Sequence, residues 1–454
     1  LWNMDLEIIS REYIKPSSPT PSNLRSHKLC LFDQYVHHYY NTCVYFYPLN
    51  QDNLSGSIDI ERVVSERLQL LKQSLSETLT HLYPLAGRMT DDFSVDCNDE
   101  GIYFVEARAE STLNEFLSQL NLSLLSKFVA KEGNEQNRQI AGGSVAKIQV
   151  TTFACGGLAI CPSIEHMVCD ATTFRLFLNN WAAINRKSTE EVILPNYNAS
   201  SLFPPVNEDP KAAASTSPMA AFFKIGRPAT RRFVFDAKAI ANLKARATGS
   251  SVQNPSRVEA VSAFLFKLIT VAFKTKSGFY KPNLLAHVVN LRRKMKPPIS
   301  DYSTGNILWN ANALCTEDEV ELDGLVYRLR EAIRKIDGDF VKSLQGDEGF
   351  LNYRKALQHD DEVYSRAADR ILFTSSCNFG LYNIDFGWGK PIWLSSVGMG
   401  EDLNFYCNLI LLMDTRSGDG VEAWVFLHEE DMALLELDKE LLSFATTDPS
   451  PLDI

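Results

Sequence analysis

The sequence predicts a mixed α/β protein of two domains, and three observations lead to that prediction. The chain has 454 residues, more than one compact hydrophobic core usually serves. Hydrophobic residues make up 45% of the chain and charged residues 22%, as in globular proteins that can bury a core. Segments with helical spacing of apolar residues alternate with segments of strand spacing in both halves. Two domains imply a cleft between them.

A region without sustained periodicity separates the two halves. Residues 188–230 are rich in Pro, Ala, Ser and Asn, and we interpret them as a crossover linker. The predicted domains are therefore residues 4–187 and residues 231–454.

The first half begins with a helix and continues with pairs of strands. Residues 58–82 carry apolar side chains at helical spacing, which predicts a long amphipathic helix. Residues 93–109 alternate valines and aromatics around the turn-forming NDEG, which predicts a β-hairpin. Residues 145–164 alternate again around a Gly-Gly pair, which predicts two strands joined by a turn. A helix follows over residues 172–186.

The second half alternates strands and helices to the end of the chain. The predicted helices cover residues 237–248, 256–276, 317–344 and 347–370. The predicted strands cover residues 231–236, 284–292, 371–376, 392–397, 406–413 and 421–427.

Charge, cysteine spacing and hydropathy exclude several classes of protein. The net charge of -11 argues against a nucleic-acid binder, because phosphate contacts need a basic surface. The nine cysteines include no C-x-x-C pair, which predicts free thiols in a reducing compartment. No apolar stretch reaches the length of a membrane span and no signal peptide is visible, so we expect a cytosolic protein without membrane contacts.

One histidine lies where active-site residues are often found. His166, in the segment SIEHMVCDATTF, lies between a predicted strand and the helix at 172–186, with Asp170 four residues later. This spacing alone fits a structural histidine better than a catalytic one. A neutral imidazole exposed at such a turn, however, can take a proton from an alcohol. The sequence has no G-x-S-x-G nucleophile motif, which favours direct transfer of an activated acyl group without a covalent enzyme intermediate.

Metal binding is the competing interpretation of His166. The only adjacent histidines are His37 and His38, which we expect at the end of a strand, and no carboxylate cluster accompanies them. A metal site is therefore not expected.

A basic segment and a glycine-rich segment are further candidates. Residues 290–298 concentrate four cations in an acidic protein, and they fit either a solvated turn or a patch for a phosphate-rich cosubstrate such as coenzyme A: Arg292, Arg293, Lys294 and Lys296. The segment YNIDFGWGKPIW at 382–393 is too short for a nucleotide-binding glycine motif, and it predicts a rigid turn with an architectural role.

Taken together, HMVCD at 166–170 and DFGWGKP at 385–391 resemble the plant BAHD acyltransferase superfamily. The resemblance covers nearly the whole chain and includes YPLAGR at 83–88, VNLR at 289–292 and GN at 305–306. These details are most similar to the alkaloid O-acetyltransferase branch that includes vinorine synthase.

The resemblance implies a fold and a reaction. It implies two similar domains of the chloramphenicol-acetyltransferase type, with a solvent channel between them that acyl-CoA and the acceptor enter from opposite faces. His166 matches the general base of the family, and Asp170 matches its structural aspartate, which pairs with the arginine of NLR, here Arg292. No metal is implied.

The resemblance also assigns residues away from the base. The motif positions that support the coenzyme A side of the channel are Asp385, Gly387, Trp388 and Gly389. With Arg292 used as an internal clamp, the remaining coenzyme A candidates are Ser256, Arg293, Lys294 and Lys296.

The chain departs from the common family pattern near the base and before the last motif. The departures are Met167, Cys169, Ser376 and Asn378. Glu165 is also unusual, and it would either accommodate a cationic acceptor or face solvent. Phe405 is expected near the acyl pocket. The choice of acceptor, and of donor, therefore stays open.

We expect a monomeric, cytosolic acyl-CoA-dependent O-acyltransferase of plant specialised metabolism, with acetyl-CoA as donor and a hydroxylated alkaloid as acceptor. Residues 396–412 contain no arginine that could hold a malonyl carboxylate, which favours a neutral acyl group. Two alternatives stay open. One is a relative that binds an alkaloid without acylating it or that promotes cyclisation or elimination, and the other is an N-acyltransferase that forms an amide.

Overall fold

The computed structural model describes residues 4–49, 59–90, 93–133, 142–206, 219–316, 321–398 and 404–454. The strands in these ranges are β1 Leu6–Ile14, β2 Ser26–Lys28, β3 Tyr40–Tyr47, β4 Arg88–Met89, β5 Ser94–Asp96, β6 Ile102–Ala109, β7 Ala146–Phe153, β8 Leu158–Glu165, β9 Phe223–Ile225, β10 Pro228–Phe235, β11 Asn283–Asn290, β12 Leu308–Cys315, β13 Asp369–Ser375, β14 Trp393–Ser396, β15 Phe405–Cys407, β16 Leu409–Asp414, β17 Val421–His428 and β18 Thr446–Thr447. The helices are α1 Ile60–His81, α2 Leu113–Ser118, α3 Ala171–Asn185, α4 Ala199–Leu202, α5 Ala237–Arg246, α6 Arg257–Ser277, α7 Leu322–Lys335, α8 Gly338–Ser343, α9 Gly349–Tyr364, α10 Glu429–Leu435 and α11 Lys439–Phe444.

Two mixed sheets organise the two halves of the chain. The first has the strand order β1-β6-β7-β8-β3-β14, and the second has the order β12-β11-β13-β16-β17-β10-β18. In the first sheet β6 and β7 are parallel, and in the second β13 is parallel to both β11 and β16. The remaining neighbours are antiparallel. The predicted mixed α/β class is therefore confirmed.

The second half contributes one strand to the sheet of the first half. Strand β14 pairs antiparallel with β3, and the Trp393 ring stacks on Phe46 with the ring centroids 5.3 Å apart. Both rings are fully buried, and the hydrophobic core runs without a break through both halves. The division of the chain at residues 187 and 231 stays a prediction. Strand β14 connects the two predicted domains, because it comes from the second and pairs with a strand of the first.

Local sequence signals explain the strand–turn–helix unit that contains His166. Gly156 adopts a φ of +79° in the turn between β7 and β8, a conformation that favours glycine. Asp170 then caps α3, because its side chain accepts a hydrogen bond from the backbone N–H of Thr173. The predicted strand pair and helix are confirmed, and His166 lies on the turn that joins them.

The predicted hairpin at residues 93–109 is wrong. Strand β5 pairs with β2 and β4 in a small separate sheet, whereas β6 pairs with β1 and β7. Asp99, between the two strands, accepts hydrogen bonds from the backbone N–H and the hydroxyl of Thr20. This turn is therefore bound to a distant segment instead of folding its own two strands together.

Several predicted boundaries also change. Residue 58, residues 207–218 of the linker and residues 317–320 lie outside the described residues. The rest of the segment 317–344 forms two helices, α7 and α8, and the segment 406–413 is divided between β15 and β16. His37 and His38 precede β3 and do not end a strand. No helix in the described ranges is long and apolar enough to cross a membrane.

Truncation of Trp393 tests the contribution of β14 to the first sheet. We expect Trp393→Ala to lower the free energy of unfolding by roughly 3–5 kcal/mol, because the cavity left beside Phe46 cannot collapse completely. Urea unfolding followed by circular dichroism measures this change. Lys390→Ala, an exposed change three residues earlier, is the control. Equal stability of the two variants would contradict the packing described here.

Candidate active site

A cavity of about 2320 Å³ lies between the two halves of the chain. Its wall includes His166 and Tyr39 from the first half and strands β11, β12, β13 and β16 from the second. Ligand pockets for a single small molecule usually measure about 300–1,000 Å³. The cavity therefore has room for two substrates at once.

The backbone of His166 is held from both halves. Its N–H donates to the carbonyl oxygen of Tyr39 at 2.8 Å, and its carbonyl oxygen accepts from Nδ2 of Asn306 at 2.7 Å. The Tyr39 ring also packs on the imidazole, with the ring centroids 4.8 Å apart. The imidazole is therefore fixed at the cavity wall by residues that are distant in sequence.

Burial favours the neutral form of this imidazole. Burial lowers the pKa of His166 below its usual 6.5, and the opposing contributions of Asp170, Glu165 and Asn306 are smaller. Nδ1 of the ring is buried, so the Nε2 side is the part that can reach the cavity. A neutral imidazole in this position can accept a proton from a bound alcohol.

Asp170 is directed away from the cavity and forms a buried ion pair. Its Oδ2 lies 2.8 Å from Nη1 of Arg292, and at most 1% of either side chain is exposed. Its Oδ1 accepts from the backbone N–H and the hydroxyl of Thr173. Arg292 in turn donates to the carbonyl oxygens of Ser303 and Gly305. The pair therefore joins the start of α3 to the loop that precedes β12.

Two further residues of this network, Asp33 and Asn306, were not among the predicted site residues. Asp33 accepts from the backbone N–H and from Nδ2 of Asn306, at 2.7 and 2.8 Å, and also from the backbone N–H of Cys30. Burial raises the pKa of Asp33. The GN dipeptide marked Asn306 in the sequence, and a single aspartate inside the apolar segment CLFDQY could have marked its partner.

The DFGWG segment forms a turn that packs on the first half. Asp385 accepts from the backbone N–H groups of Gly387 and Gly389, which both have φ near +106°. The Phe386 ring packs edge-on against Trp181 at 4.9 Å. Arg67 lies over the ring of Trp388. None of the four motif residues that were assigned to the coenzyme A side lines the cavity, so their positions fit the architectural interpretation.

The four candidates for coenzyme A binding do not line the cavity either. Ser256 caps α6 in a capping box with Glu259. Arg293 forms an exposed ion pair with Asp301, Lys294 lies near the end of α7, and the Lys296 stem packs against the first residue of α8. Charge in the sequence identified Arg293, Lys294 and Lys296, but it did not indicate which way their loop faces.

The unusual residues around the base occupy different environments. Glu165 is fully buried and its Oε2 lies 2.7 Å from Nδ1 of His38, so the expectation that it faces solvent is wrong. Phe405 and Ser376 line the cavity. Asn378 lies outside the cavity wall and accepts a hydrogen bond from Arg257.

Met167 and Cys169 are buried in the core behind the base. No group of three or more His, Cys, Asp or Glu side chains is arranged to hold a metal ion in the described parts of the chain.

The two mixed sheets, the cavity between the halves and the half-buried imidazole of His166 in its wall fit one class of enzyme, the two-domain acyltransferases. The Transferase family model matches residues 4–442, and the chain therefore belongs to that family, within the BAHD superfamily.

Named relatives support this membership. The chain is 56% identical to the epi-neemfruitin B 7-O-acetyltransferase of Melia azedarach over 99% of its own length and 100% of the relative. It is also 56% identical to the limonoid 7-O-acetyltransferase of Citrus sinensis, with the same coverage. The crystal structure of vinorine synthase matches with a TM-score of 0.79 at 34% identity, over 97% of this chain and 98% of that one. The chain is an acyl-CoA-dependent O-acyltransferase.

Removal of the Asp170 charge tests the buried ion pair. We expect Asp170→Asn to lower the free energy of unfolding by roughly 3–5 kcal/mol, because Arg292 would stay buried without an anion. Equilibrium urea unfolding measures the change. The control is Asp301→Asn, which breaks the exposed pair with Arg293 and should change stability little. An Asp170 variant as stable as this control would contradict the importance of the pair.

Proposed function

We propose that this enzyme transfers an acetyl group from acetyl-CoA to a hydroxyl of a limonoid-type terpenoid, with His166 as general base. The observation that carries the proposal is the half-buried imidazole of His166, whose pKa is lowered by burial, in the wall of a cavity that both halves form. The acceptor class follows from the two full-length relatives at 56% identity, both named as 7-O-acetyltransferases of limonoids or of epi-neemfruitin B.

The cavity wall suits a neutral polycyclic acceptor. Leu372, Leu409 and Phe426 are neighbours across three strands of the second sheet, and all three line the cavity. Phe174 and Phe379 add aromatic surface to the same cavity. An apolar wall of this kind binds a fused-ring skeleton by burial of its hydrocarbon surface.

In the proposed reaction His166 first accepts a proton and then returns it. Nε2 takes the hydroxyl proton while the acceptor oxygen forms a bond to the thioester carbonyl carbon, which gives a tetrahedral intermediate and an imidazolium. The C–S bond then breaks, and the imidazolium returns the proton to the leaving coenzyme A thiolate. The products are an acetate ester and coenzyme A, and His166 is neutral again.

A hydroxylated alkaloid is the alternative acceptor. Its protonated amine would need a carboxylate in the cavity, and Glu165 is buried against His38 instead. Among the described residues, the carboxylates that line the cavity belong to α9: Asp360, Asp361 and Glu362. Burial raises the pKa of Asp360 to about 6, which weakens it as an anion near neutral pH. If an alkaloid is the acceptor, its protonated amine should bind to one of these three carboxylates.

We also propose that the enzyme is a cytosolic monomer. All nine cysteines lie in the described ranges and none of them forms a disulfide bond there, as expected in a reducing compartment. Size-exclusion chromatography with light scattering tests the oligomeric state.

Replacement of His166 tests the proposed base. Purified enzyme is incubated with acetyl-CoA and a limonoid 7-alcohol, and mass spectrometry follows the acetate ester. We expect His166→Ala to reduce turnover roughly 10²–10⁴-fold, because the group proposed to take the hydroxyl proton is removed. The control is His359→Ala, an exposed histidine outside the cavity wall.

Parallel reactions separate this proposal from its alternatives. Malonyl-CoA and benzoyl-CoA replace the donor, and a panel of hydroxylated alkaloids replaces the acceptor. Acetylation of alkaloids alone would contradict the proposed acceptor class. Undiminished turnover by His166→Ala would contradict the proposed base.

The pH dependence of turnover tests the protonation state of His166. The base acts in its neutral form, and burial holds the pKa of His166 below 6.5. We therefore expect kcat/KM to be constant near neutral pH and to fall only as the pH drops below 6.5 through that lowered pKa. Initial rates from about pH 4 to pH 8 measure the profile. An acidic limb centred above pH 6.5 would contradict the assignment.

A further inference from the structure

Glu165 is a buried carboxylate immediately before the proposed base. It ends strand β8, it has no exposed surface, and neither of its oxygens accepts a regular hydrogen bond. In the described part of the chain, the one side chain at ion-pair distance is His38, whose Nδ1 lies 2.7 Å from Oε2. A buried carboxylate with so little compensation is costly, and such groups often have a functional role.

Other carboxylates near His166 are compensated more fully. Asp170 uses Oδ2 for Arg292 and Oδ1 for the start of α3. Asp33 is compensated by three hydrogen bonds from Asn306 and Cys30. Glu165 is therefore the carboxylate beside the base with the least compensated negative charge.

We propose that Glu165, held by His38, stabilises the imidazolium that His166 becomes when it takes the proton of the acceptor hydroxyl. This inference rests on the proposed role of His166 as base. Glu165 is a positioning residue in this account, because its buried oxygens do not reach the substrate. In the proposed reaction the proton moves from the hydroxyl to Nε2 of His166 and then to the thiolate, and Glu165 takes part in neither transfer.

Electrostatics at the site agree with this role. Burial is the largest effect on the pKa of His166 and lowers it. The negative charges of Asp170 and Glu165 act in the opposite direction and raise that pKa. Burial chiefly raises the pKa of Tyr39, and the charge of Glu165 adds to that effect. Glu165 thus acts on both rings that meet at the cavity wall.

Several other charged or titratable groups lie near Glu165 and His166. Tyr40 is paired with Glu165 across the β3–β8 ladder, and Lys147 of β7 lies on the same face, over the Tyr40 ring and near Glu132. The remaining groups are His38 and Tyr39 before β3, Asp170, Arg292 and Asp33. Asp170 is paired with Arg292 and Glu132 lies near Lys147, so replacing either carboxylate would also leave a cation without its partner. Replacing Glu165 removes a negative charge near His166 without leaving a Lys or Arg unpaired.

Titration of His166 by NMR tests the inference without any acceptor. The full-length protein is labelled with ¹³C at histidine Cε1, and His166→Gln identifies the resonance. We expect Glu165→Gln, which keeps the shape of the side chain, to lower the titration midpoint of His166 by about one pH unit. The acidic limb of kcat/KM should move to lower pH in parallel, with roughly threefold lower turnover near neutral pH.

Two further variants make the result decisive. Asp361→Asn removes the same charge from an exposed carboxylate of the cavity wall on α9, and it should leave the His166 midpoint in place. If Glu165→Gln does not fold, His38→Gln takes its place, because it removes the one described side chain at ion-pair distance from the Glu165 carboxylate and so releases that carboxylate from its position beside the base. The midpoint should fall in that variant too.

The outcomes separate this inference from the proposed function. An unmoved or raised midpoint in the folded variant, or an equal shift in Asp361→Asn, overturns the inference. A lowered midpoint in an enzyme that acetylates no acceptor would support the electrostatic role and contradict the proposed function alone. Acetyl transfer with an unmoved midpoint would overturn the inference alone.

Discussion

The buried ion pair between Asp170 and Arg292 is the constraint on which the rest of the site depends. It joins the residue that caps α3 to the loop before β12, across the two halves of the chain. Because Arg292 also binds the carbonyl oxygens of Ser303 and Gly305, that loop has one position relative to α3. Asn306, the next residue of the loop, then reaches the backbone of His166.

The contribution of this pair is geometric more than energetic. Removing two charges from water costs several kcal/mol per ion in general, and the attraction between them often does not exceed that cost. What the pair specifies is a register between the two halves, since each buried ion has its ion-pair partner in the other half. Strand β14 and the DFGWG turn add aromatic contacts between the two halves, with Trp393 on Phe46 and Phe386 on Trp181. The cavity is therefore bounded by two halves that meet in one arrangement.

The secondary structure around the site could be predicted from the sequence, whereas the direction in which individual side chains and loops face could not. The strands β7 and β8, the helix α3 and the turn of His166 follow from period and capping, which are properties of neighbouring residues. The hairpin at 93–109 was wrong because Asp99 binds Thr20, a contact 79 residues away. The burial of Glu165 could not be predicted for a related reason, since a charge in the sequence does not reveal whether its side chain faces water. The role of Arg293, Lys294 and Lys296 in coenzyme A binding stays a prediction. Asp33 was missed because its partners come from Asn306, 273 residues later.

The environment of His166 reconciles two opposite requirements. The imidazole has to be neutral before the reaction, and burial provides this by disfavouring its charged form. It has to carry a proton during the reaction, and burial alone would make that state too costly. Asp170 contributes to the second need, and it also forms the buried ion pair with Arg292. A carboxylate that is buried and weakly compensated, one residue before the base, offsets the cost of the charged state and still leaves the resting imidazole neutral.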